Sequence, residues 1–141
     1  MSELIVRPLE PEDFDVVIAM WEKYFPHRRD YSKPAADLRR KLAHEDDMLL
    51  VGTLDDEVVA TVMIGYDGHR GWIYYLAVDP NLRRQGLGRQ MLTAAETKLR
   101  RLGCTKLNLQ VLGENTQVIA FYERMGFAVE QRISLGKRVE P

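Results

Sequence analysis

Apolar residues recur along this chain with two different periods, and the changes of period outline its elements. Leu4-Ile5-Val6 reads as an opening strand closed by Arg7-Pro8. Glu10-Pro11-Glu12 then starts a helix, because a proline fits the first turn and the acids suit its positive end. Phe14, Val17, Ile18 and Trp21 supply an apolar stripe at helical spacing, and Tyr24-Phe25-Pro26 ends it. A second helix is predicted after Ser32-Lys33-Pro34, with Ser32 as its cap and Leu38 and Leu42 facing inward.

The period then falls to two. Met48 to Leu54 predicts a strand, Asp55-Asp56 a tight turn, and Val58 to Gly65 an antiparallel partner. Asp67 to Gly71 makes a second turn, and Trp72 to Val78 completes a meander of three strands. Strict alternation along this last strand places adjacent Tyr74 and Tyr75 on opposite faces. Leu87, Met91, Leu92, Ala95, Leu99 and Leu102 then form a helical stripe that stops at Gly103. Lys106 to Val111 alternates as a strand, Val118 to Met125 predicts a helix stopped by Gly126, and Phe127 to Leu135 predicts a final strand. This pattern predicts an α+β fold, a mixed and mostly antiparallel sheet flanked by helices. No repeat, low-complexity tract or linker divides the chain, so residues 1–141 are expected to form one domain.

Composition narrows the function classes. A formal net charge of -1 argues against a nucleic-acid partner. No apolar run is long enough to cross a membrane and no secretion signal follows Met1, so a cytoplasmic location is expected. Cys104 is the single cysteine, which excludes an internal disulfide, and its setting before a strand suits packing better than nucleophilic chemistry. His27, His44 and His69 are scattered, and no metal site is expected.

The stretch from Leu76 to Arg89 carries the clearest chemistry. An apolar strand end, Leu76-Ala77-Val78, stops at Asp79-Pro80, and a compact basic loop with Gly86 and Gly88 opens the next helix. Glycines let the backbone approach a ligand while successive amides converge at a helix N-terminus, where an anion is favoured. The loop is neither a phosphate loop ending in Gly-Lys-Ser/Thr nor a dinucleotide fingerprint. On its own it also fits a surface connection whose arginines face water.

Arg83-Arg84-Gln85-Gly86-Leu87-Gly88 resembles the Arg/Gln-x-x-Gly-x-Gly/Ala signature of the GNAT family of N-acetyltransferases. Asn115, followed by Ala120-Phe121-Tyr122-Glu123-Arg124-Met125-Gly126-Phe127, resembles that family's second acyl-CoA-binding segment. The turn Tyr66 to Gly71 and the run Leu135 to Arg138 look most like the YpeA-type bacterial branch. The resemblance implies the acyl-CoA N-acyltransferase fold and an acetyl-CoA cosubstrate without a metal. It implies that the backbone of Arg83, Arg84, Gln85, Gly86, Leu87, Gly88 and Arg89 holds the coenzyme A pyrophosphate. Leu76 and Val78 would pair through their backbone with the pantetheine arm, as an added strand does, with Ala77 between them in the same cofactor-binding segment. The Leu76 N–H would stabilise the developing oxyanion, Tyr122 would protonate or hydrogen-bond the departing sulfur, and Asn115 would help position the pantetheine or act only as a helix cap.

The general base is where the sequence departs from its relatives. Acetyltransferases of ribosomal-protein N-termini in this family commonly carry a glutamate where Gln110 stands here, and an amide cannot take up a proton as a carboxylate does. Water, Glu114, His69, Asp67, Tyr74 or Tyr75 are the substitutes the sequence offers. Trp72, Tyr74, Tyr75, Tyr24, Phe25 and Tyr31 are candidates for an acceptor pocket, or for core and dimer packing. The acceptor is a small-molecule or protein amine, and a homodimer is the arrangement that the resemblance suggests. A noncatalytic acyl-CoA-binding or sensor module on the same fold is the alternative.

Overall fold

The computed structural model describes residues 2–25 and 33–140. They form two compact units, Met1–Leu109 and Gln110–Pro141. The expected cap Ser32 and pocket candidate Tyr31 lie outside the described residues.

In the first unit, strand β1 (Ile5–Pro8) leads through a 3-10 turn (Pro11–Asp13) into α1 (Phe14–Tyr24). Helix α2 (Pro34–Ala43) follows, opened by its proline, then β2 (Leu49–Leu54), β3 (Glu57–Tyr66) and β4 (Gly71–Val78). A second 3-10 turn (Pro80–Leu82) leads to α3 (Leu87–Arg101) and a short β5 (Leu107–Asn108). The sheet order is β1-β2-β3-β4-β5, with antiparallel pairing throughout except for parallel β4–β5. Only that last pair needs a crossover connection, and α3 supplies it.

Each face of the sheet has its own apolar cover. Val17, Met20 and Trp21 of α1 and Leu38 of α2 pack with Leu49, Val51 and Tyr75. On the other face, α3 buries the stripe Leu87, Met91, Leu92, Ala95 and Leu99 against β2, β3 and β4. Leu102, which the stripe also included, is 55% exposed because the helix has already ended there. At Gly71 the approach is close: a Cβ would stand 3.0 Å from both Leu99 Cδ1 and Cys104 Sγ.

The start of the chain is tied down by an ion pair. Asp13 is 5% exposed, and its carboxylate accepts from Arg7 Nη1 at 2.7 Å, Arg7 Nη2 at 3.1 Å and the Glu10 N–H at 2.8 Å. The Arg7 hydrogen bond holds the Asp13 carboxyl below its ordinary range, outweighing the opposing effect of burial. A depressed carboxyl pKa stabilises the fold above the unfolded value, about 3.9, and loses that contribution as the pH falls through the folded value. Asp13→Ala leaves a half-buried guanidinium and an amide without their acceptor, and is expected to cost about 1–3 kcal/mol by urea denaturation at neutral pH. A loss under about 0.5 kcal/mol would contradict this role.

Strand β4 breaks the expected alternation. Met63 pairs with Tyr74 and Thr61 with Ala77, so Tyr75 and Leu76 together face Val62. This is a β-bulge, and Tyr75 takes a left-handed backbone with φ +52°. Gly71 faces α3, and simple alternation would send Tyr75 the same way. The bulge instead turns it onto the α1/α2 face, where its ring stacks on Trp21 with centroids 3.8 Å apart. Tyr74 shares the face of its pair Met63, which also packs against the Trp21 cluster. The two tyrosines therefore lie on one face, against the sequence expectation.

The second unit contains α4 (Thr116–Arg124), stopped by Gly126 at φ +98°. The final strand expected over Phe127 to Leu135 is not formed: residues 127–140 carry no regular secondary structure. Val129, Ile133, Leu135 and Val139 keep the alternating pattern but are 75–92% exposed. Alternation names the faces of a strand, whereas a strand also needs a hydrogen-bonded neighbour. The strand expected over Lys106 to Val111 likewise shrinks to Leu107–Asn108, the two residues that find partners on β4.

Candidate functional site

Past its first two residues, β4 parts from β5. Their pairing joins Gly71 to Leu107 and Trp72 to Asn108 and extends no further among the described residues. From Ile73 to Val78 no strand among the described residues pairs with the edge of β4 that faces away from β3, the kind of edge with which an extended ligand can pair. Leu76 and Val78 are half-buried and Ala77 is buried; the Asp79 N–H bonds the Val59 carbonyl of β3, so by alternation Ala77 turns its backbone groups to β3 while Leu76 and Val78 turn theirs to the outer edge.

One 3-10 turn, Pro80–Leu82, separates that edge from the glycine loop. Asp79 closes the strand end: its N–H donates to the Val59 carbonyl at 2.9 Å, and its carboxylate accepts the Asn81 N–H at 2.9 Å. Arg83, Arg84, Gln85 and Arg89 are exposed. Arg84 has φ +66° and Gly86 has φ +76°, two left-handed residues that curl the chain before α3. Sequence reasoning found the glycine turn but not the one at Arg84, because an arginine gives no local signal for that conformation.

Helix α3 starts at Gly86, whose carbonyl accepts the Gln90 N–H at 3.1 Å. The amides of Leu87, Gly88 and Arg89 precede that first helical bond and so have no partner within the helix. Gly86 at the N-cap has no side chain to occupy them, while buried Leu87 anchors the helix start in the core. A Cβ at Gly86 would meet no protein atom within 4 Å. The result is an amide-rich helix start with the exposed Arg83, Arg84 and Arg89 beside it, a setting that favours an anion. Among the described residues no group of His, Cys, Asp or Glu is arranged to hold a metal ion.

The aromatic candidates divide by role. Trp21, Phe25 and Tyr75 are core partners, with Phe25 meeting Tyr75 edge-on at 5.4 Å. The Tyr75 hydroxyl donates to Asp37 Oδ2 at 2.6 Å. Tyr74, by contrast, is 48% exposed, and burial of its remaining surface raises its phenol. Burial, with a smaller effect from Asp79, also raises the Tyr24 phenol. Of the proposed proton acceptors, Asp67 is engaged in its turn: its carboxylate accepts the N–H groups of His69 at 2.7 Å and Arg70 at 2.8 Å. Those bonds, Arg70's foremost, hold it below the usual carboxylate range and make it a poor base. His69 is exposed beside Arg70, with Nδ1 3.4 Å from the guanidinium.

In the second unit, Asn115 occupies the N-cap of α4 without a side-chain capping bond. Its carbonyl accepts the Ile119 N–H at 3.1 Å. Tyr122 packs edge-on against Phe121 and Phe127, with ring centroids 5.1 and 5.5 Å away. Burial pushes its phenol up to about 12, so it holds its proton throughout the neutral range. Glu114 is exposed, and Gln110 Nε2 donates to Ser134 Oγ at 2.6 Å.

Sequence reasoning missed Thr61, Asp37 and the contact of Trp21 with Tyr75. Thr61 left one trace, as a hydroxyl set between Ala60 and Val62 in an otherwise apolar strand.

Known proteins share this chain's sequence pattern and fold. Residues 14–127 match the acetyltransferase (GNAT) family. An acetyltransferase of Pectobacterium atrosepticum is 40% identical over 134 residues, spanning 95% of this chain and 94% of that protein. The aminoglycoside N-acetyltransferase AAC(6')-Iy in complex with CoA superposes with a TM-score of 0.78 at 18% identity, covering 98% of this chain and 96% of its own. Ard1 from Thermoplasma volcanium gives a TM-score of 0.75 at 24% identity, covering 90% and 84%. The two structural likenesses establish a shared fold.

Proposed function

Because the chain belongs to the acetyltransferase (GNAT) family, we propose that it transfers an acetyl group from acetyl-CoA to an amine. The observation that carries the reading is the strand-free edge of β4, followed after one 3-10 turn by the glycine loop and the α3 N-terminus. In this reading the amides of Leu87, Gly88 and Arg89, with Arg83 and Arg84 nearby, hold the pyrophosphate. Leu76 and Val78, on either side of Ala77, pair through their backbone with the pantetheine arm. The YpeA-type branch, suggested by the Tyr66 to Gly71 turn, belongs to the same proposal.

Leu76 N–H donates to the thioester oxygen as an amine attacks the carbonyl carbon and negative charge builds there. Breaking the C–S bond leaves a thiolate, which Tyr122 stabilises by hydrogen bonding. Asn115 steadies the segment that carries Tyr122. The attacking nitrogen must lose a proton, and neither the Gln110 amide nor the engaged Asp67 carboxylate suits that task, so we assign it to solvent water. The acceptor is a small-molecule or protein amine. Nearly balanced charge supports the absence of a nucleic-acid partner, and no helix of the described residues is long and apolar enough to cross a membrane. A cytoplasmic location and a homodimer complete the proposal.

Two measurements test it. Incubation with acetyl-CoA and a panel of amines should release free thiol and yield a product 42 mass units heavier, about the mass of an added acetyl group. Binding of acetyl-CoA with no transfer to any amine would favour the noncatalytic module instead. Gln110→Glu should add an acidic-limb titration to the pH–rate profile while coenzyme affinity is preserved, since a carboxylate there can accept the amine's proton. An unchanged profile would show that position 110 does not lie beside the attacking amine.

A further inference from the structure

We propose that Thr61, supported by Trp21, is a positioning residue that aims the Leu76 N–H into the open edge of β4. This inference rests on the acetyl-transfer reading for its catalytic consequence, although its geometry stands without that reading. The bulge at Tyr75 and Leu76 interrupts the β3–β4 ladder, and a carbonyl released from a ladder needs another acceptor role in a buried setting. Thr61 provides the partner. Its hydroxyl, on a fully buried residue, donates to the Tyr75 carbonyl at 2.8 Å.

The Tyr75 carbonyl and the Leu76 N–H are opposite ends of one planar trans peptide. Holding the carbonyl toward β3 therefore points the N–H away from β3. That is the side on which β5 has withdrawn, where an extended thioester ligand would lie. The hydroxyl has only one proton to give, and its direction is fixed from the other side. Trp21 Nε1 donates to Thr61 Oγ1 at 2.9 Å, which commits the hydroxyl proton to the Tyr75 carbonyl. Donation to the carbonyl also polarises the peptide and strengthens its N–H as a donor. The stacking of Tyr75 on Trp21 secures the same unit, since the indole that orients Thr61 also packs against the bulged residue.

Thr61→Val keeps the shape of the side chain and removes its hydroxyl. Acetyl transfer should slow roughly ten- to a hundredfold, a partial loss of an oxyanion donor, while acetyl-CoA affinity stays within about threefold. Thr61→Ser restores the hydroxyl and should recover most of the rate. Trp21→Phe keeps an aromatic ring but removes the N–H, and should give a smaller loss of rate at unchanged affinity. The Leu76 amide resonance in 15N spectra of the ligand-free protein should shift in Thr61→Val and return in Thr61→Ser.

A folded Thr61→Val protein with the wild-type rate and Leu76 resonance would overturn the proposal. So would equal losses of rate and affinity, which mark general disruption. If the wild type transfers acetyl to no amine, the activity reading fails, and the Leu76 resonance alone decides whether Thr61 sets this peptide. If Thr61→Val does not fold, Trp21→Phe decides by the same rate, affinity and resonance measurements.

Discussion

Tyr122→Phe is expected to slow the acetyl-transfer step roughly thirty- to two-hundredfold while leaving coenzyme affinity within about threefold, as a loss of ~2–3 kcal/mol in the transition state requires. The ring keeps its edge-on contacts with Phe121 and Phe127, so the change removes a hydroxyl and little packing. The phenol's pKa of about 12 also refines its role. A cysteine thiol ordinarily titrates near 8.5, well below the phenol, so outright proton transfer from Tyr122 to a thiolate of that kind is uphill. Hydrogen-bond donation, with the proton retained, is the role those values favour. Rapid-mixing measurement of the chemical step avoids interference from product release. An unchanged step would remove Tyr122 from the reaction. The raised phenol has a second consequence: between about pH 10 and 12 the unfolded chain loses this proton first, so its contribution to stability falls as pH rises through that window.

Gly86→Val should weaken coenzyme A and acetyl-CoA binding by about ten- to a hundredfold, the loss of one charge-assisted amide contact or two. At φ +76° a β-branched residue resists the backbone that starts α3, at a cost on the order of 1–2 kcal/mol. Its side chain would also stand where no protein atom lies within 4 Å, the space that the proposed reading gives to the ligand. The fold has no steric reason to collapse there, so binding should suffer more than stability. Gly86→Ala, with less bulk, should fall between the two. Calorimetric titration reads all three proteins, and native affinity in a folded Gly86→Val variant would contradict the assignment.

What the sequence disclosed and what it concealed follow from the range of the interactions. The α3 stripe and its glycine start were legible because helix periodicity and the turn before it are local. The motif around Tyr122 was legible as a run of residue types, and its helix formed within two residues of the expected bounds. The bulge at Tyr75 was hidden because Ile73, Tyr75 and Ala77 still alternate in burial when the strand changes face between them. The bond from Trp21 to Thr61 spans 40 residues, and nothing in either neighbourhood encodes the other. The unformed final strand shows the reverse limit: Val129, Ile133 and Leu135 carry the pattern of a strand without the partner that makes one.

Hydrogen exchange of backbone amides with and without acetyl-CoA, in the presence of a chelator, tests most directly whether the open β4 edge and the α3 N-terminus hold this ligand together. Acetyl-CoA is expected to slow exchange at Leu76 to Val78 and at Leu87 to Arg89 in the same titration, with little change in β1 or β2. Binding that leaves both segments unprotected, or protects only residues elsewhere in the chain, would contradict the site.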